Sequence, residues 1–361
     1  MSVTLTHPPA EETAPPPVAK IVPRVMTLHG DTRVDNYAWM RDRKDPDTIA
    51  YLEAENAYTK ARMQHAAELE AKLYAEMLGR IQQTDLSVPV KRDEYFYYTR
   101  TEEGKQYSIF CRKHGSLDAA EEILLDGNAM AEGLKYFQIG VFAPSPNHKL
   151  LAYAVDLTGD EIYTIRLKDL ATGEFLADEV SGASTSLEWA GDNATFFYNV
   201  LDEARRPFKI FRHVLGESKD AEIYHEPDQR FELEISKTSS RAYVLISSNS
   251  PLTTEIRCLR TDDARGEFRV VLPRVHETEY DLTHHSSING GDSFFIRTND
   301  AGRTFRVVQA PVADPSKAQW KEILPARPNV TVEGVFAFEN HLVIEERELG
   351  LSRLRVQSFA G

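Results

Sequence analysis

The stretch "SPNHKLLAYAVDLTGDEIYTIRLKDLATGEFLADEV", residues 145–180, decides the fold. It opens on "SPNHK", a run of turn formers of the kind that closes a hairpin. "KLLAYAV" follows as a continuous apolar run, short enough for a strand buried on both faces. "IYTIRLKD" then alternates apolar and polar side chains with the period of a half-buried strand. Past a second cluster of turn residues, "TGEFLADEV" supplies one more strand.

The same order recurs along the chain. The apolar strand returns as "YFYYT", "KLLAYAV", "ATFFYNV", "RAYVLIS", "DSFFIRT" and "HLVIEE", centred near Tyr97, Ala152, Phe197, Leu245, Phe295 and Ile344. Each is followed by a partner: "YSIFCRK", "IYTIRLKD", "FKIFRHV", "TEIRCLR", "TFRVVQA" and "SRLRVQS". Five of the apolar strands are preceded by an earlier strand and a tight turn. Five of the partners are followed by a fourth strand: "EEILLDG", "TGEFLADEV", "AEIYHEP", "EFRVVLPR" and "WKEILPAR". Four antiparallel strands recurring every 45–55 residues are the sequence pattern of a β-propeller blade. One such sheet cannot bury both faces alone, whereas stacked blades bury each other. Six repeats are expected, and the sixth has "VTVEGVFAF", "HLVIEE" and "LSRLRVQS" with no fourth strand after them. The fold class is therefore mainly β, a propeller preceded by an α-helical segment.

That segment contrasts with everything after it. "RDRKDPDTIAYLEAENAYTKARMQHAAELEAKLYAEMLGRI" is rich in Ala, Glu, Leu and Lys, all good helix formers. Asp45 suits an N-cap and Pro46 the first helical position. Ile49 and Leu52 begin an apolar face, Leu69, Leu73 and Met77 recur every four residues, and Gly79 is placed to end the run. Helices are expected over 46–62 and 66–79. The first twenty residues, "MSVTLTHPPAEETAPPPVAK", lack the basic start and apolar block of a secretory signal and read as a disordered tail. The expected divisions are a tail at 1–19, a helical segment at 20–85 and a propeller at 86–361.

Composition narrows the function. The chain has 361 residues and a formal net charge of −14. That balance disfavours non-specific nucleic-acid binding, which needs basic patches to release counterions, and suits a cationic substrate or partner. No apolar run approaches the ~18 residues of a membrane span. Cys111 and Cys258 both fall inside expected strands and read as buried free thiols of a reducing compartment. No Cys/His grouping has zinc spacing, so neither metal nor cofactor is expected.

A hydrolase needs a nucleophile with a base in reach, and no G-x-S-x-G turn is present. Ser116 in "HGSLDA" and Ser293 in "GGDSFF" read as turns. "THHSSI" sets His284 and His285 beside Ser286 and Ser287. Adjacent strand residues face opposite ways, so the two histidines read as a polar strand end, against a His–Ser dyad. "DLTGDEIYTIR" carries Asp156, Asp160 and Glu161, and "DEARRPFKIF" carries Asp202, Glu203, Arg205 and Arg206 in the equivalent place one repeat later. These loops emerge on one end of a propeller, where binding surfaces form. The seven residues are the candidate rim or interdomain contacts, against the plainer reading of solvated loops. Glu346, Arg347 and Glu348 are assigned the same place in the sixth repeat.

Several stretches, in order, resemble the prolyl oligopeptidase family, and within it the oligopeptidase B branch. They are "RVDNYAWMRD" at 33–42, "YLEAEN" at 51–56, "FAPSPNHKLLAYAVDLTGDEIYTIRLKDLATGE" at 142–174, "YNVLDEARRPFKIFRHVLG" at 198–216, "ISKTSSRAYVLISSNS" at 235–250 and "FFIRTND" at 294–300. The resemblance implies a cytoplasmic serine peptidase in which a seven-bladed propeller covers an α/β-hydrolase domain. That domain would be built from the N-terminal helices and a C-terminal half. The branch cleaves short peptides after Arg or Lys, and its propeller keeps folded proteins out. The family's Ser, Asp and His lie in the C-terminal half, and no position here matches one, so no catalytic residue is assigned. The expected partners are that hydrolase domain and short peptides, with no nucleic acid and no membrane. The rival expectations are a non-catalytic propeller scaffold and one half of a split peptidase.

Overall fold

The computed structural model describes residues 15–288 and 291–359. They fall into two compact units, one running through Asp85 and the other from Leu86. Most of the tail expected at 1–19 lies outside the described residues.

The first unit opens with a hairpin that the sequence reading missed, β1 (Arg24–Leu28) against β2 (Asp31–Asp35). His29 and Gly30 both have positive φ, 52° and 81°, as a tight two-residue hairpin turn requires. The "YAWMR" stretch forms a single 3-10 turn, Ala38–Arg41, held by Trp39 Nε1 donating to the Lys20 carbonyl at 3.1 Å. Helix α1 spans Pro46–Met63 and α2 spans Ala67–Gly79, each within a residue of expectation. Asp45 caps α1 by accepting from Asp47 N. Leu69, Leu73 and Met77 are exposed along α2.

The second unit is built of antiparallel strands. The first repeat is β3 (Val90–Arg92), β4 (Tyr95–Arg100), β5 (Ile109–His114) and β6 (Glu122–Asp126). The second is β7 (Gln138–Pro144), β8 (Leu150–Asp156), β9 (Tyr163–Asp169) and the start of β10 (Phe175–Trp189). The third takes the end of β10, then β11 (Thr195–Leu201), β12 (Pro207–Val214) and β13 (Ala221–His225). The fourth is β14 (Glu232–Lys237), β15 (Tyr243–Ser250), β16 (Thr253–Arg260) and β17 (Arg269–Leu272). The fifth is β18 (Tyr280–Ile288), β19 (Gly291–Thr298), β20 (Arg306–Pro311) and β21 (Lys321–Leu324). The sixth is β22 (Val330–Ala337), β23 (His341–Glu348) and β24 (Leu351–Ser358), the last exposed along its whole length.

Every expected strand is present, but the sheet count differs. The second and third repeats share one seven-stranded sheet because β10 is continuous through both. Ala183 is the pivot, pairing with Tyr163 of β9 on one edge and Val200 of β11 on the other. Gly182, at φ 80°, turns the strand just before it. Among the described residues no sheet closes on itself.

The apolar second strands explain the packing. Successive side chains on a strand face opposite ways, and here both faces are buried. Phe196 and Tyr198 of β11 pack with Ala152, Ile165 and Trp189, while Phe197 packs with Leu233, Val244 and Ile246 of the next repeat. Likewise Phe294 packs with Tyr243, Leu245 and Ile256, and Phe295 packs with Val332, Leu342 and Ile344. Each fully buried Phe contributes about 2–3 kcal/mol of transfer free energy. A chain of cores, each shared by adjacent repeats, therefore holds the unit together.

Candidate functional site

The first strands of four repeats, β3, β7, the end of β10 and β14, line a cavity of about 1090 Å³. Their register is locked by side chains. Ser186 Oγ donates to the Ile235 carbonyl and accepts from Ile235 N, both at 2.8 Å, and Asn199 Nδ2 donates to the Leu233 carbonyl at 3.1 Å. The cavity wall is thus held by side chains bonded to the backbone of the next repeat, and the remaining side chains supply its chemistry.

Charges along the wall are unevenly placed. Glu232 and Glu234, both exposed, line the cavity near the start of β14. Lys237 stands at the end of the same strand, with its ammonium 3.2 Å from Glu188. Burial pushes the Lys237 pKa down, and Glu188 opposes that shift. Arg92 and Arg241 line the same end of the cavity.

That end is gathered by the turns between first and second strands. Asp93, in the turn after β3, lies 2.9 Å from His148 Nε2 and accepts from Arg241 Nη1 at 2.6 Å. His148 Nδ1 is 2.9 Å from the Tyr97 hydroxyl, and its ring stacks on that of Tyr97. Asn147 N donates to Asn193 Oδ1 at 2.7 Å, tying in the third repeat. Arg241 and His148 together hold the Asp93 carboxyl at about 2, below its ordinary value. Most of these residues sit in turns scattered over four repeats, and no local sequence pattern singles them out.

The seven expected rim residues separate into two kinds. Asp156 is buried at the end of β8 and folds the loop around itself. Its carboxylate accepts from the Thr158, Gly159 and Glu161 backbone N–H groups and from the Thr158 hydroxyl, all at 2.8–3.0 Å. Burial works against its charge, but these bonds outweigh it and keep the pKa low. Asp202 accepts from Ala204 N and Arg206 N, and from Arg206 Nε at 2.9 Å. Arg206 in turn donates to the carbonyls of Glu226, Asp228 and Phe231. These three residues build the loops. Asp160, Glu161, Glu203 and Arg205 are exposed. Arg205 reaches the neighbouring loop, donating to the Asp160 carbonyl and approaching the Asp160 carboxylate at 3.8 Å. The sixth repeat differs from expectation. Glu346 is buried within β23, paired with Arg327 at 2.5 Å and Arg355 at 2.7 Å, and the loop itself is Leu349 and Gly350.

Other candidates are absorbed by packing. His284 and His285 are both buried. His284 Nδ1 lies 2.7 Å from Ser240 Oγ, and His285 Nε2 lies 3.0 Å from the Glu339 carbonyl. Ser240, His284 and Asp292 make a superficially triad-like row. However, His284 Nε2 is 3.9 Å from Asp292 and has no hydrogen-bond partner, while Ser240 Oγ also accepts from Ala242 N. Burial lowers the His284 pKa, which suits a packed neutral ring. Ser293, expected in a turn, lies inside β19 and accepts from Gln309 Nε2 at 3.1 Å. Cys111 and Cys258 are buried and free, as expected. Among the described residues, no His, Cys, Asp and Glu group could hold a metal.

Comparison with known proteins gives this geometry a lineage. A Pseudoxanthomonas mexicana protein named dipeptidyl aminopeptidase BI is 38% identical over 99% of this chain and 51% of its own length. Protease 2 of Moraxella lacunata is 34% identical over 94% of the chain and 50% of its own length. Oligopeptidase B from Leishmania major superposes with a TM-score of 0.87 at 32% identity, covering 96% of this chain and 51% of that one. Oligopeptidase B from Trypanosoma brucei, in a closed form with covalently bound antipain, gives 0.85 at 29%, covering 95% and 52%. The chain thus spans about half the length of the relatives it matches. The family model described as prolyl oligopeptidase, N-terminal β-propeller domain, matches residues 16–361, and the chain belongs to that family through this domain.

Proposed function

We propose that this chain is the propeller and N-terminal helical part of an oligopeptidase B-like serine peptidase, and that it gates access to an α/β-hydrolase domain lying outside this sequence. The observation that carries the reading is the pairing of two facts. The propeller model covers residues 16–361, and the relatives continue for as much length again. The whole enzyme hydrolyses short peptides by acyl transfer, with a serine nucleophile, a histidine base and an oxyanion hole, and cleaves after Arg or Lys. The acidic balance of the chain, −14, favours approach of such cationic peptides.

Within this reading the channel and the exposed loop residues Asp160, Glu161, Glu203 and Arg205 form the filter and a docking rim. Asp156, Asp202 and Arg206 hold those loops in shape. The exposed Leu69, Leu73 and Met77 face of α2 meets the hydrolase domain. Among the described residues no helix is long and apolar enough to cross a membrane, and two free thiols suit a cytoplasmic setting.

Association provides the test. The purified chain is mixed with the part of the Pseudoxanthomonas mexicana relative that lies beyond the matched half. A stoichiometric complex that hydrolyses an arginyl-peptide ester, with neither component active alone, is expected. Two folded components that fail to associate, or turnover by this chain alone that resists a serine-reactive inhibitor, would overturn the proposal.

A further inference from the structure

The channel wall carries opposite charges at its two ends, and their placement matches a ligand with opposite charges at its own ends. We propose that the channel takes short peptides with both termini free and holds them in one direction, with the amino terminus at Glu232 and Glu234 and the carboxylate at Arg92. This inference rests on the peptidase reading and adds the polarity and length of the substrate.

The acidic end is uncompensated. Glu232 and Glu234 line the cavity, are exposed, and have no basic partner within ion-pair distance among the described residues. The basic end is compensated only in part. Arg241 is paired with Asp93 at 2.6 Å and Lys237 with Glu188 at 3.2 Å. Arg92 lines the same end, is exposed, and has no carboxylate partner among the described residues. Arg92, Lys237 and Arg241 also lie close enough for the two arginines to disfavour the Lys237 charge. One cationic group is therefore left over at this end, and two anionic groups over the first half of β14.

The strand sets a scale for the length. Glu232 and Lys237 begin and end the same strand, five residues apart, which is about 17 Å at 3.3 Å per residue. An extended peptide of about five residues covers the same span. A simple anion would fit the Arg92 end but would be repelled by a chain of net charge −14. A zwitterion satisfies both ends, and field lines focused by the channel walls orient it as it enters.

The test uses calorimetric titration of this chain with pentaalanine at low ionic strength, comparing free, N-acetylated and C-amidated forms. Amidation is expected to weaken binding about fivefold and acetylation to weaken it by about the same factor, as for one partly screened ion pair each. Arg92→Gln should abolish the effect of amidation and leave that of acetylation, while Arg92→Lys should retain both. The pair Glu232→Gln with Glu234→Gln should do the reverse of Arg92→Gln. No binding, binding indifferent to capping, or variants that weaken all three peptides equally would overturn the inference. The proposed docking rim does not include Arg92, so failure to associate with a hydrolase half is read separately and bears on the peptidase proposal alone.

Discussion

Arg241 Nη1 donates to Asp93 Oδ2 at 2.6 Å, although 148 residues separate the two. The bond ties the first repeat to the fourth at one end of the channel, and His148 of the second repeat joins it at 2.9 Å. Both partners are about half exposed, so solvent screens the pair and its worth is about 1 kcal/mol or less. The double-mutant cycle of Asp93→Asn with Arg241→Gln should give a coupling of that size at low salt and close to none at 1 M. Asp93 is depressed to about 2 in the folded chain. Its stabilisation is therefore complete above the ordinary carboxylate pKa and is lost as pH falls from about 4 towards 2. Urea melts at pH 7 and pH 3 check this, and a coupling unchanged by salt and by acid would contradict it.

The rim loops separate structural from free charges. Asp156→Ala removes the acceptor of three backbone N–H groups and one hydroxyl, and should cost about 2–3 kcal/mol. Arg206→Ala strands the carbonyls of Glu226, Asp228 and Phe231 and should cost about the same. Glu203→Ala and Glu161→Gln should move stability by less than about 0.5 kcal/mol, since both side chains are exposed. Denaturant midpoints of the four variants measure the difference directly.

A buried carboxylate makes the sharper stability prediction. Glu226 is almost fully enclosed, and accepts from Arg274 at 2.6 Å, Ser248 Oγ at 2.8 Å and Asp228 N at 3.0 Å. Burial raises its pKa, but Arg274, Ser248 and Asp228 N outweigh burial and lower it overall. Glu226→Ala removes the closer of Arg274's two carboxylate partners, leaving only Glu255 at 3.8 Å, and should cost about 2–3 kcal/mol. Because the folded pKa is depressed, the wild-type contribution is present above the unfolded pKa and disappears as pH falls through the folded one. The penalty for Glu226→Ala should accordingly shrink in acid, as melts of the two proteins between pH 7 and pH 3 would show.

The two cysteines give a chemical check on the same cores. Burial pushes the Cys111 thiol up to about 11 and raises Cys258 as well. A thiol reagent at pH 7.5 should label neither in the native chain and both in denaturant. Rapid labelling of either one without denaturant would mean that its repeat opens locally.

The repeats were legible because burial on both faces forces second strands such as "ATFFYNV" to be apolar throughout. The signal faded where that constraint is absent. β3 is three residues of "VKR", all exposed, and shows no apolar pattern. The hairpin at Arg24–Leu28 and Asp31–Asp35 is mostly exposed as well. The fusion of two repeats through β10 depends on a register shift at Ala183, which hydrophobic periodicity does not encode. Charged loop residues were found as a group, but their roles were not. Asp156 and Glu161 look alike in sequence, and only the backbone donors around Asp156 show that it builds the loop. The channel charges were missed for a related reason. Arg92, Glu232, Lys237 and Arg241 sit on different repeats or on opposite ends of a strand, and only the stacking of the sheets brings them to one cavity.

The last prediction concerns α2. Leu69, Leu73 and Met77 are each about half exposed or more, and they follow one another at four-residue intervals along one face of the helix. An exposed apolar stripe suits a partner surface, and the occupant proposed for it is the hydrolase domain. In this chain alone the stripe should bind a hydrophobic dye, and Leu69→Glu with Leu73→Glu should remove most of that signal without lowering the denaturant midpoint of the β unit. Amides of α2 should exchange quickly, because little tertiary packing supports a thirteen-residue helix. Adding the remaining half of the relative should slow that exchange, and the double variant should not respond. Slow exchange along α2 in the isolated monomer would contradict the assignment of this face to a missing partner.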